Sequence, residues 1–196
     1  MTVVLDYGMG NLRSVERAIA HLGFSCTVQR DLGGADKLII PGVGAFGAAM
    51  ERIGSLSKDI RKSAVDGMPL LGICLGQQLL FERSEEHGDH EGIGLIPGTA
   101  RYLPSDGNLK VPHMGWNEVR FLRSDGLGKG FETGGQVYFL HSLYCQCAEP
   151  ESVAATCEYG IEFAAAVQRG NVWGTQFHTE KSGDVGLQIL RNFLEC

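Results

Sequence analysis

The sequence predicts an α/β protein on a largely parallel sheet, with antiparallel strands added in its second half. Three observations predict it. From Val3 to about Leu80, short apolar runs alternate with segments whose apolar residues recur at helical spacing. From about Gly92 to Gln176 the pattern changes to short extended pieces bounded by glycine and proline. Between them, PLLGICLGQQLLF stops an apolar run at a Gly-x-Cys-x-Gly turn and passes at once into an amphipathic helical pattern.

The elements read off in order. Val3 to Leu5 form a short apolar strand, and Leu12, Val15, Ile19 and Leu22 recur at the period of a helix. FSCTVQ is a second strand, and KLII a third that stops at PGVG. Helical segments follow around Phe46 to Ile53 and Ile60 to Val65, ahead of the PLLGI strand and the turn at Cys74. Crossovers between parallel strands of this kind are right-handed. In the second half WNEVRFL, VYFLHS, SVAATCE and FAAAVQ read as strands, and Val185, Ile189, Leu190, Phe193 and Leu194 mark the apolar face of a closing helix. No linker or repeat divides the chain, so a single domain over residues 1–196 is expected.

Composition narrows the function. A chain of 196 residues buries a core without disulfides or metals. A net charge of −6 and the lack of a basic stripe argue against nucleic acid as a partner. MTVVLDYGMG has neither a basic leader region nor a long apolar one, and no run approaches a membrane span, so a cytoplasmic protein is expected. The six cysteines, Cys26, Cys74, Cys145, Cys147, Cys157 and Cys196, are scattered and read as reduced thiols. Cys145 and Cys147 are too closely spaced for a usual zinc site, and no metal is expected.

Cys74 is the first candidate for chemistry. A thiol at a glycine-flanked strand-to-helix bend projects above the C-terminal edge of the sheet, and the helix N-terminus favours its thiolate. Taken alone, it reads first as a small core residue at a tight turn. In NVWGTQFHTEKSG, His178 and Glu180 follow a strand two residues apart, which in extended chain puts both on one side. A carboxylate that fixes one imidazole nitrogen leaves the other to take a proton from a thiol. Cys74, His178 and Glu180 are therefore a candidate triad, although without Cys74 the favoured reading of His178 and Glu180 is a surface pair. PGVG, Pro41 to Gly44, ends another strand. Backbone N–H groups of Gly42 or Val43 there, and of Leu75 after the thiol, are candidate oxyanion donors, while a plain turn uses the same residues.

GICLGQQLLF, PGVG and QFHTE together resemble the triad, or class I, glutamine amidotransferases. DYGMGNLRSV, PGVGAFGAAM, FERSEE and KVPHMGWNEV are similar, more narrowly, to the glutaminase subunits of imidazole glycerol phosphate synthases, and the resemblance covers essentially the whole chain. It implies a flavodoxin-like, doubly wound core and hydrolysis of glutamine to glutamate and ammonia through a glutamyl thioester on Cys74, with no cofactor. It also implies that Gln78 and Glu86 hold substrate and that His141 and Ser142 line its pocket. The implied partner is a cyclase subunit with a (β/α)8 barrel, forming a heterodimer through positions that include Asn11, Trp116 and Lys181. Ammonia passes to that subunit, which makes imidazole glycerol phosphate and an aminoimidazole carboxamide ribonucleotide.

Two residues depart from the family pattern. Thr179 stands where proline is common between the catalytic His and Glu, and Leu143 where a His-Ser-Tyr run places tyrosine. A related glutaminase feeding a sugar-modifying synthetase, or a non-catalytic binding or stress protein of the same fold, are the competing readings. Co-purification with a barrel cyclase separates the first from the second, and glutamine turnover separates both from the third.

Overall fold

The computed structural model describes residues 1–105, 109–131 and 134–196. In chain order the elements of the first half are β1 (Thr2–Leu5), α1 (Leu12–His21), β2 (Cys26–Gln29), β3 (Lys37–Gly42), α2 (Phe46–Ile53), α3 (Leu56–Val65), β4 (Leu70–Cys74) and α4 (Leu75–Leu79). The second half holds β5 (Phe81–Ser84), β6 (His90–Glu91), β7 (Ile96–Tyr102), β8 (His113–Phe121), β9 (Gly135–His141), β10 (Leu143–Cys147), β11 (Val153–Tyr159), β12 (Ile161–Arg169), β13 (Val172–Thr175) and α5 (Gly183–Glu195).

The strands join one mixed sheet. Its parallel heart runs β2-β1-β3-β4-β13, and from β13 it continues through antiparallel β12, β10 and β7, with β8, β9 and β11 forming an antiparallel branch on β12. This is the predicted α/β architecture. Alternation along each central strand divides the core between two faces. Val3, Leu5, Leu38 and Ile40 pack with Phe46 and Ala49 of α2 and Ile60 and Ala64 of α3. Val4, Ile39, Leu71 and Ile73 pack on the other face with Val15 and Ile19 of α1 and Ile189, Leu190 and Phe193 of α5. Helices cover both faces, as a doubly wound sheet requires.

One local expectation fails. The pattern after Cys74 reads as an amphipathic helix, but α4 is five residues long and every one of them is buried. The helix is inserted between β4 and β5 and touches β3, β13 and α2 as well. It therefore has no solvent face to which polar residues would point, and Gln77 and Gln78 lie in the interior. Within FERSEE, Phe81–Ser84 forms strand β5 ahead of Glu86.

Candidate active site

Two turns leave the sheet side by side. In the β3–β4 register Gly42 pairs with Cys74, so PGVG and the cysteine turn emerge together at the C-terminal edge. Cys74 adopts φ 56° and ψ −109° at the start of α4. Among the described residues only Cys74 and His87 depart from negative φ without being glycine. A side chain in that region costs on the order of 1–3 kcal/mol, and such strain gathers at functional sites. Small neighbours make the bend possible. A Cβ on Gly72 would lie 2.5 Å from the Gly76 carbonyl oxygen, and one on Gly76 would lie 1.8 Å from that of Ile40.

The structure brings the other two candidate triad residues together beside this thiol. Glu180 Oε1 lies 2.9 Å from His178 Nδ1, and their side chains are only 2% and 3% exposed. A carboxylate accepts, so Nδ1 carries the proton that it holds. His178 Nε2 is buried without a hydrogen-bond partner among the described residues. Burial disfavours the imidazolium, but Cys74 and Glu180 outweigh it and raise the His178 pKa to about 10. The arrangement thus favours a charged imidazolium beside Cys74. The backbone of the base is fixed from β9: Ser182 Oγ donates to the His178 carbonyl at 2.6 Å and accepts from Tyr138 N–H at 2.9 Å. Thr179, where the family uses proline, opens a short 3-10 turn to Lys181 and is fully buried.

A pocket of about 250 Å³ opens on Cys74 and gathers most of the residues expected there: Val43, Leu75, Gln78, Glu86, His141 and Ser142, with Leu143 in its wall. Gly42 is not in the lining and stands behind it at the end of β3, whereas Val43 is 40% exposed at the mouth. The Gln78 amide donates to Gln176 Oε1 at 3.1 Å and approaches the Leu143 carbonyl at 3.5 Å. Glu86 accepts from the N–H of Phe46, the first residue of α2, so the carboxylate also caps the helix that follows PGVG.

Gln176 was not among the expected residues. It is fully buried, and its Nε2 lies 3.8 Å from Cys74 Sγ, so one amide links the thiol to Gln78. The signal was present: Gln176 precedes His178 by two, at the same-side spacing that paired His178 with Glu180.

His113, from PHMGWN, supports the pocket wall. The Leu143 carbonyl only accepts, so His141 donates to it from Nδ1 at 2.7 Å. His141 Nε2 must then accept from His113 Nδ1 at 3.0 Å, and His113 Nε2 accepts from the Asn117 amide at 3.3 Å. Both rings are held neutral. Burial pushes the His113 pKa down to about 4. For His141 burial, helped by the nearby His113 and His178, overcomes the pull of the Leu143 carbonyl and brings it to about 3. The unfolded chain takes up protons first, near 6.5. This stabilisation is therefore complete above that pH and is lost as pH falls towards the folded values. The urea midpoint should drop between pH 6.5 and about 5, above the range where most carboxylates titrate. A flat midpoint over that interval would show that the rings do not stay neutral.

Asn11, Trp116 and Lys181 lie outside the pocket. Asn11 Oδ1 accepts from Ser14 N–H at 3.4 Å and so caps α1. Trp116 is 57% exposed and meets Tyr138 edge-on at 6.2 Å, and Lys181 Nζ sits 5.8 Å over the same ring. Tyr138 in turn lies 6.5 Å from the His178 ring, so this outer cluster reaches the triad through one aromatic.

Among the described residues no group of three or more His, Cys, Asp or Glu is arranged to hold a metal ion. None of their helices is long and apolar enough to cross a membrane.

Known proteins share this architecture and sequence. The family model for class-I glutamine amidotransferases matches residues 3–196. A protein of Moorella thermoacetica named imidazole glycerol phosphate synthase subunit HisH is 50% identical over 98% of this chain and 93% of its own length. Its namesake in Methanosarcina mazei is 49% identical over 98% of this chain and 97% of its own length. Among solved structures, one described as PurLQS from Thermotoga maritima superposes with a TM-score of 0.79 over 99% of this chain and 97% of that one. Another, titled only as a glutamine amidotransferase, gives 0.77 over the same shares. These two are 20% and 21% identical and speak for the fold. The chain belongs to the class-I glutamine amidotransferase family, in the group whose members are named imidazole glycerol phosphate synthase subunit HisH.

Proposed function

We propose that this chain is the glutaminase subunit of an imidazole glycerol phosphate synthase and works in histidine biosynthesis. The observation that carries the reading is the buried His178–Glu180 pair beside a thiol that the β4–α4 bend presents to a pocket. Cys74 Sγ attacks the side-chain amide carbon of glutamine, forming a C–S bond and an oxyanion that the N–H groups of Val43 and Leu75 receive. The C–N bond then breaks, and His178 gives its Nε2 proton to the departing ammonia. Water adds to the thioester while His178 takes its proton, the C–S bond breaks to release glutamate, and His178 returns the proton to Sγ. Glu180 keeps Nε2 aimed throughout. Gln78, Glu86, His141 and Ser142 hold the substrate. The sequence calls for no cofactor.

Ammonia goes to a partner cyclase with a (β/α)8 barrel, which forms imidazole glycerol phosphate and an aminoimidazole carboxamide ribonucleotide. The chain acts as one domain over residues 1–196, in the cytoplasm, where this biosynthesis runs. Glutamate release is the test: it should rise sharply when the cyclase and its ribulosyl nucleotide are added to the chain. Equal rates with and without them would refute gating of the glutaminase by that partner.

Trp116 is the aromatic anchor that this face offers. Trp116→Ala should weaken binding of the cyclase by about 2 kcal/mol, a loss of some 30-fold in affinity. Titration calorimetry reads that change, while thermal stability of the free chain should barely move, because the ring is more than half exposed. An unaltered affinity would place the interface elsewhere.

A further inference from the structure

Tyr7 takes no part in the chemistry above, yet it reaches the backbone on which that chemistry turns. It follows β1 in DYGMGN, is 8% exposed, and its hydroxyl is buried without a hydrogen-bond partner among the described residues. A Cβ on Gly42 would lie 2.2 Å from Tyr7 Oη and 3.0 Å from Leu75 Cβ. The hydroxyl and the Leu75 side chain therefore cover one face of the Gly42 α-carbon, and only glycine leaves them the room. The same segment presses on the loop at two further points. A Cβ on Gly10 would stand 3.2 Å from Gly42 Cα, and one on Gly44 would stand 2.5 Å from Met9 Cε.

A buried hydroxyl without a partner is costly, and phenylalanine would fill the same space without that cost. Burial, and after it the nearby Cys74, raise the pKa of Tyr7, so the group keeps its proton and remains a donor. What it lacks is an acceptor. The bond beside it can supply one. If the Gly42–Val43 peptide turns its carbonyl to that covered face, the trans geometry of the peptide sends the Val43 N–H the opposite way. Glycine at 42, and Gly44 at φ 122° just beyond, make that turn conformationally cheap.

We propose that Tyr7 is a positioning residue for the oxyanion loop: its hydroxyl donates to the Gly42 carbonyl when the Val43 N–H turns into the glutamine pocket. The hydroxyl is unpartnered in the structure described and bonded in the firing arrangement, so it shifts the balance towards the latter. This rests on the glutaminase reading, in which Val43 receives the oxyanion.

Tyr7→Phe tests it in the complex with the cyclase and its nucleotide. The variant should lose about tenfold in kcat, the worth of one net hydrogen bond, with KM for glutamine unchanged. The melting temperature of the free chain should hold or rise, because an unpaired hydroxyl has been removed from the core. A merely structural tyrosine predicts the reverse, a lower melting temperature with altered KM, and that result would overturn the proposal. So would an unchanged kcat. Wild-type and Cys74→Ala complexes run alongside: a wild type that turns over no glutamine, or a Cys74→Ala protein that does, removes the glutaminase reading and the role of Tyr7 with it. An active wild type whose Tyr7→Phe variant matches it removes Tyr7 alone.

Discussion

Cys74→Ala should abolish glutamine hydrolysis, lowering kcat by about 10⁴-fold or more, while the protein stays folded. In the proposed mechanism the loss of the nucleophile removes the covalent path itself, and the remaining groups cannot substitute: His178 has no thiol to deprotonate, and the two oxyanion donors act on nothing. The structural cost is small by comparison. Sγ makes only long contacts, 3.7 Å to the Leu140 carbonyl and 3.8 Å to Gln176 Nε2, and alanine keeps the Cβ in its positive-φ position. A change in stability of about 1 kcal/mol is expected. The decisive comparison supplies ammonium salt in place of glutamine. The complex carrying Cys74→Ala should still convert the nucleotide, because the proposed function assigns the acceptor chemistry to the cyclase. Residual glutamine turnover would mean that another group is the nucleophile. Failure with both nitrogen sources would point to a damaged complex, which the melting curve of the variant would expose.

How much of this was legible depended on whether a residue's partner is near it in sequence. Val3, Val4 and Leu5 announce their strand because alternation is local, and the elbow at Cys74 declares itself through Gly72 and Gly76. His178 and Glu180 are two apart, and extended geometry alone pairs them. The helix after Cys74 was misread because the polar residues Gln77 and Gln78 look like a wet face. In fact the Gln78 amide is satisfied by Leu143 and Gln176, which are 65 and 98 residues away. His113 was overlooked beside Trp116 for the same reason: its partner, His141, is 28 residues on, across the β8–β9 pair. Tyr7 carries no signal at all until β1 and β3 are placed side by side, when its hydroxyl comes against Gly42.

Gly76→Ala should be the most damaging single methyl addition in the site. The new carbon would stand 1.8 Å from the Ile40 carbonyl oxygen and 2.9 Å from its carbon, both main-chain atoms of a central strand. Neither can step aside as a side chain would. Either α4 lifts off β3 or β3 leaves its register, and each course uncouples the cysteine turn from PGVG. A loss of about 3 kcal/mol or more is expected, a large part of the stability of an ordinary domain. The Leu75 N–H moves with α4, so whatever protein folds should also lose glutaminase activity beyond its loss of folded fraction. Gly170→Ala is the proper control. Gly170 has φ 58° and open space around it, so alanine there meets only backbone strain, about 1 kcal/mol. Urea denaturation of the two variants separates close packing from glycine's conformational freedom. If Gly76→Ala proved as stable as Gly170→Ala, the elbow would not depend on α4 lying directly on the backbone of β3. The oxyanion role proposed for the Leu75 N–H would then lose this structural support.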